Sequence, residues 1–201
     1  MSINKLRDGN IKFTELYLEN EKLYSDLVNN GQHPKVMWVG CSDSRVVPEF
    51  IVNANAGDLF VTRNVANIIP PIDAKDNNSS SVLEYAVEHL HVDHIVICGH
   101  TGCGGINAML KGIPQESVIS DWMKHAGKAK KNAEQQCCGD LEINTIKANV
   151  LIQADHLLTF PFVKLKVEDK KLVIHKWLYD MSSGKISYYD KINNKWIYLN
   201  Q

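Results

Sequence analysis

No run of this chain approaches the about 20 consecutive apolar residues a spanning helix needs, which excludes a helical membrane span. An excess of one charge is also missing. Lys and Arg number 22 against 23 Asp and Glu, for a net charge of −1, so there is no electrostatic footprint for nucleic acid or an anionic membrane surface. Five cysteines are too few, and odd in number, for a disulfide framework, and they suit a reducing compartment. The opening Met-Ser-Ile-Asn-Lys-Leu-Arg-Asp lacks the apolar core of a signal peptide, so the expected location is the cytoplasm. Internal repeats and low-complexity tracts are absent. Arginine is scarce: only Arg7, Arg45 and Arg63 stand among the 22 basic residues. In so lysine-rich a chain, arginine is expected where a planar, multi-donor, permanently charged fork is required.

What is present reads as an α/β domain. The length, 201 residues, is enough for one substantial core. Lys35 to Gly40 and His94 to Gly99 are continuous apolar runs, the pattern of strands buried on both faces. A further strand is expected over Leu59 to Arg63, and a serine-capped helix over Val82 to Leu90. Two or three helices are expected between Gln115 and Leu158, ending at Thr159-Phe160-Pro161. Apolar positions from Asn4 to Asn29 recur at helical spacing and predict one or two amphipathic helices ahead of the sheet. The alternation from Lys171 to Tyr179, the turn Ser182-Ser183-Gly184 and the segment from Lys185 read as an added hairpin. The expected fold is a mainly parallel central sheet flanked by helices, with an N-terminal helical arm and a C-terminal hairpin or edge strand. The expected organisation is a single catalytic domain over 1–201, with the arm in 1–30 and the core in 31–201.

Chemistry-bearing residues follow the two apolar runs. Cys41-Ser42-Asp43-Ser44-Arg45 follows the first and His100-Thr101-Gly102-Cys103 the second. In open parallel sheets the ligand crevice lies outside the carboxyl ends of the strands, so both groups fall where such folds bind. Cys41, His100 and Cys103 are three ligands of the type a catalytic zinc uses, leaving a fourth position for water or a carboxylate. A thiol at the start of the helix after Gly104-Gly105 is biased toward thiolate. Arg45 can hold Asp43 bidentately and keep it ionised. Cys98 is expected to be buried in a strand, and Cys137-Cys138 to be an incidental exposed pair.

Taken together, Cys-Ser-Asp-Ser-Arg, Arg-Asn-Val-Ala-Asn at 63–67 and Gly-His-x-x-Cys-Gly-Gly at 99–105 resemble the β-class carbonic anhydrases. The resemblance implies one zinc per subunit on Cys41, His100 and Cys103, and hydration of CO2 to bicarbonate by zinc-bound hydroxide. Asp43 would orient that hydroxide, with Arg45 holding Asp43. By match to the family, Gln32, Val46, Phe60 and Tyr85 line the CO2 pocket, part of it contributed by a second subunit. Some members close the site by moving the aspartate onto zinc, under control of a bicarbonate pocket that here corresponds to Trp38, Arg63 and Tyr179. A homodimer or a dimer of dimers is implied. No proton shuttle can be chosen among the seven other histidines. Two other readings stay open: a non-catalytic zinc or bicarbonate sensor, and a CS2 or COS hydrolase on the same scaffold.

Overall fold

The two apolar runs form neighbouring parallel strands. A computed structural model describes residues 1–136 and 139–199, so Cys137 and Cys138 lie outside the described residues. The chain divides into two units, Met1–His33 and Pro34–Gln201. The first unit holds α1 (Ile3–Glu19) and α2 (Glu21–Asn30), two helices in which no residue is buried. Phe13, Tyr17 and Tyr24 form an aromatic cluster between them, with Tyr17 stacked on Tyr24 at 4.5 Å.

In the second unit the strands are β1 (Val36–Cys41), β2 (Leu59–Asn64), β3 (His94–His100), β4 (Val173–Tyr179), β5 (Ile186–Asp190) and β6 (Lys195–Tyr198). They make one sheet in the order β2-β1-β3-β4-β5-β6. The first four strands are parallel, while β5 and β6 are antiparallel. The expected hairpin exists as β4 and β5, but β4 is also the fourth parallel strand, and β6 follows β5 as the edge strand. The helices are α3 (Pro48–Val52), α4 (Asn77–Glu84), α5 (Gly104–Lys111), α6 (Val118–Met123), α7 (Gly127–Glu134), α8 (Leu141–Leu157) and α9 (Pro161–Glu168).

Two helix expectations need correction. The α4 helix starts five residues before Val82, and its cap is Asp76, whose carboxylate accepts the Ser79 N–H at 2.9 Å. At Tyr85 it passes into a π-helical turn through His89. Pro161 does not close the helical region but opens α9 at its first position, where the missing N–H costs nothing.

The main core lies between one sheet face and the α8–α9 layer. Met37, Val39, Ile95 and Ile97 of the sheet pack with Val150, Ala154, Leu157 and Val163. Gly99 sets how closely β3 and α8 approach, because a Cβ there would sit 2.7 Å from Val150 Cγ2 and 2.9 Å from Ile146 Cγ2. Both neighbours are β-branched and have one favoured rotamer in a helix, so neither can swing aside. Gly99→Ala is therefore expected to destabilise the fold by about 1–3 kcal/mol in urea unfolding. The opposite sheet face carries Trp38, Val96 and Cys98, with Val36, Val61, Trp177 and Tyr179 beside them and Val52 of α3 against them. Burial pushes the Cys98 thiol up to about 12, which makes it an inert packing group, as expected.

Candidate metal centre

The order β2-β1-β3 reverses direction at β1, so the switch point of the sheet lies between β1 and β3. Pairing of these strands runs from Val36↔His94 to Val39↔Ile97 and stops there. Beyond it β1 keeps its ladder with β2 to Cys41↔Asn64, and β3 keeps its ladder with β4 to His100↔Tyr179. The two strands therefore end as a fork. Cys41 ends one prong, His100 ends the other, and Cys103 is the N-cap residue of α5 just beyond.

The Sγ atoms of Cys41 and Cys103 and a ring nitrogen of His100 all lie within 4.8 Å of one another, the one such three-residue group among the described residues. All three side chains are buried. His100 Nδ1 lies 3.0 Å from the Thr101 carbonyl, so Nδ1 carries the proton and donates it there. That leaves Nε2 as a bare lone pair, buried without a partner. Cys41 is lowered toward thiolate chiefly because the Cys103 thiol donates to it, and further by the nearby Asp43 and Ala66 amides. Cys103 is correspondingly raised by the same contact and by burial, against the Ile106 and Gly105 amides, which favour its anion. An orphaned imidazole nitrogen facing a thiolate–thiol pair is a donor set that suits zinc.

Asp43 stands beside this group and is held elsewhere. Its Oδ1 accepts the Arg45 N–H at 3.0 Å and Nε at 2.9 Å, and its Oδ2 accepts Nη2 at 2.7 Å. The Arg45 guanidinium keeps the Asp43 carboxyl well below the usual carboxylate range. Arg45 Nη2 also donates to the Gly102 carbonyl at 3.1 Å, tying the two motifs together. Gly102 N–H donates in turn to Glu142 Oε1 of α8 at 2.8 Å. Arg63 holds the same loop from below, with Nε on the Cys41 carbonyl at 2.8 Å and Nη2 on the Asp43 carbonyl at 2.6 Å.

The other expected site residues fall in four places. Trp38 and Arg63 converge on Gly40: a Cβ there would meet Trp38 Nε1 at 2.8 Å and Arg63 Cγ at 3.9 Å. Trp38 Nε1 is buried without a partner, and Tyr179 belongs to the cluster around Trp38. Val46 is buried, with its N–H donated to the Asp43 carbonyl at 3.0 Å. Phe60 and Tyr85 pair with each other at 5.8 Å between ring centres, and Phe60 packs on the main core. Gln32 lies in the N-terminal unit. Glu142 was not read from the sequence. Its only signal is an acidic residue in the first turn of a helix, which is common without any such contact.

The carbonic anhydrase family model matches residues 36–186, which span both motifs. The structure superposes on that of the β-carbonic anhydrase CcaA with a TM-score of 0.92 at 32% identity, covering 98% of this chain and 91% of that one. The chain belongs to the β-class carbonic anhydrases. It is accordingly a carbonate dehydratase, of a family of zinc lyases that hydrate CO2. A carbonic anhydrase of Synechococcus elongatus is 34% identical over 92% of this chain and 70% of its own length. Carbonic anhydrase 1 of Escherichia coli O157:H7 is 34% identical over 98% of this chain and 92% of its own. A β-carbonic anhydrase described as tetrameric, from Sordaria macrospora, superposes with a TM-score of 0.82 at 30% identity, over 92% of this chain and 94% of that one.

Proposed function

We propose that this carbonic anhydrase converts CO2 and water to bicarbonate and a proton at a zinc ion held by Cys41, His100 and Cys103. In this reading Asp43 and Arg45 are the working dyad, and Asp43 shuts the site when Arg45 releases it. The observation that carries the reading is the buried, partnerless His100 Nε2 beside the Cys41–Cys103 pair, with Asp43 held apart by Arg45. A bound zinc ion supplies Lewis acidity that lowers the pKa of water. The remaining lone pairs of the Asp43 carboxylate accept a hydrogen bond from the attacking water and aim it at CO2. Gln32, Val46, Phe60 and Tyr85, part of them contributed by a second subunit, line the path of an apolar substrate.

Closure requires the dyad to part. The Arg45 side chain is 60% exposed and that of Asp43 only 13%, so Arg45 is the partner that can turn into water without burying a charge. Because the Asp43 carboxyl is depressed, its pairing persists above the ordinary carboxylate range and is lost only well below it. A fall in activity at mildly acidic pH therefore does not report protonation of Asp43; a fall steeper than the single titration of a metal-activated water is what a change of partner by Asp43 predicts. Trp38, Arg63 and Tyr179 form the bicarbonate pocket in this reading. Arg63 spends two N–H donors on the carbonyls of Cys41 and Asp43, so an anion drawing on its others pulls at the loop that carries the dyad. Self-association belongs to the same proposal. The arm exposes Ile3, Leu6, Ile11, Leu16 and Leu18 and buries nothing, so it needs an apolar partner surface.

Stopped-flow CO2 hydration on zinc-loaded protein, from mildly acidic to alkaline pH and with added bicarbonate, tests the reading. The expected result is a steep loss on acidification that bicarbonate deepens. Trp38→Phe keeps the packing but lacks the N–H, and should weaken bicarbonate inhibition about 3- to 10-fold, the effect of one hydrogen bond. A shallow profile indifferent to bicarbonate would remove the closure and leave a permanently open hydratase. Zinc-loaded protein with no activity would overturn the hydratase assignment itself.

A further inference from the structure

The segment that leaves β2 turns sharply away from the sheet, and its main chain is under constraint. Ala66 and Asn67 are consecutive residues with positive φ, 62° and 48°. Alanine gains nothing from that conformation, which crowds its Cβ against its own carbonyl. Such outliers persist only where their surroundings over-determine them. Ala66 packs with Cys41 and Cys103 in one buried cluster, and its Cβ would lie 3.2 Å from a Cβ on Gly105, in the first turn of α5.

The surroundings that hold this turn are side chains, because the sheet ladder has ended. Asn64 takes both main-chain groups of Ile68, its Oδ1 accepting the N–H and its Nδ2 donating to the carbonyl, each at 2.7 Å. The remaining partners come from one stripe of α8 at Asn149, Gln153 and His156. Asn149 Nδ2 donates to the Ala66 carbonyl at 2.9 Å. Gln153 Oε1 accepts the Ile69 N–H at 2.9 Å, and His156 Nδ1 donates to the Ile69 carbonyl at 2.8 Å. Gln153 Nε2 donates to Asn149 Oδ1 at 2.8 Å and to the His125 carbonyl at 3.3 Å. A main-chain carbonyl at one end demands a donor and a main-chain N–H at the other demands an acceptor. The orientation of both amides is thereby fixed. Asn149 and Gln153 are 1% and 0% exposed, buried polar groups that would be costly without their partners.

We propose that Asn149 and Gln153 are positioning residues of the metal centre, a buried amide ladder that clamps the left-handed Ala66–Asn67 pair so that Ala66 keeps its place against Cys41 and Cys103. The proposal rests on the reading of Cys41 as a metal ligand. Neither side chain approaches the ligands; they act through the backbone of residues 66 to 69. Outer partners of metal ligands commonly tune affinity in this way.

The test is made on purified zinc-loaded protein, with folding checked by circular dichroism. Asn149→Leu keeps the volume and removes both hydrogen bonds. Zinc affinity, read by competition with a chromophoric chelator, is expected to fall roughly 10- to 100-fold. In the cobalt-substituted protein the thiolate-to-metal charge-transfer band is expected to shift, a signature that a packing role would not move. Ala66→Gly in the Asn149→Leu background should regain part of the affinity, because glycine holds positive φ without a clamp. Unchanged affinity with an unmoved cobalt band overturns the proposal, as does a loss that Ala66→Gly deepens. Should Asn149→Leu fail to fold, Gln153→Met, which leaves Asn149 on Ala66, carries the same test at smaller amplitude. Wild-type protein that binds no zinc at all would instead bring down the ligand assignment, a separate and visible failure.

Discussion

Replacing Cys103 by alanine should abolish zinc retention and CO2 hydration together. The side chain is buried at the N-cap of α5, where the amides of Gly105 and Ile106 favour its anion. The group consists of Cys41, His100 and Cys103 among the described residues, and the neighbouring carboxylate, Asp43, is held by Arg45. Two ligands on separate prongs of the fork hold a metal far less well than three. Metal analysis after dialysis against a chelator should find wild-type protein near one zinc per subunit and the variant near none. Hydration should fall by several orders of magnitude, because enzymatic accelerations begin at about 10⁶-fold and this site would have lost its Lewis acid. The substitution removes only a sulfur atom from a buried position, so the circular dichroism spectrum should stay native. A variant that kept stoichiometric zinc would show that Cys103 is a core thiol and not a ligand.

Asp43→Ala should separate the two losses. Asp43 is outside the three-ligand group and its carboxylate is committed to Arg45, so zinc content should be unchanged. Activity should drop about 10²- to 10⁴-fold, the range for removing a positioned acid–base group. Arg45→Lys should not behave like wild type, because one ammonium cannot reproduce the fork that places Nε on Oδ1 and Nη2 on Oδ2. Full activity in Asp43→Ala would eliminate the dyad and shift attention to what else orients the attacking water. Steady-state rates with zinc content measured on the same samples distinguish these outcomes.

The parts of the site that could be read in advance are those carried by strong local patterns. β1 and β3 are buried on both faces, so they appear as unbroken apolar runs, and the parallel-sheet rule then places Cys41 and His100 at one edge. β4 was harder. Its alternation of Lys171, His175 and Lys176 with Leu172, Ile174 and Trp177 describes a half-buried strand equally well in a hairpin or beside β3. The choice depends on partners some 80 residues away. The start of α9 was missed because proline ends one helix and opens another with the same residue type. Asn149 and Gln153 gave no signal at all. Their partners are main-chain groups at 66 and 69, separated from them by 83 and 84 residues, and a backbone carbonyl leaves no mark in a sequence.

The fork between β1 and β3 also bears on the order of events during synthesis. The ladder below it closes from Val36↔His94 to Val39↔Ile97, and the main core packs on that closed part through Met37, Val39, Ile95 and Ile97. None of the three ligands belongs to that core. Small zinc modules fold only as they capture their metal. Here the main core draws on none of the ligands, so it could form before the metal is captured. In that order of events metallation would be a late maturation step, governed by the cell's exchangeable zinc and not by the ribosome. A zinc-starved cell would accumulate a finished apoenzyme, which a later supply of the ion could switch on without any new translation.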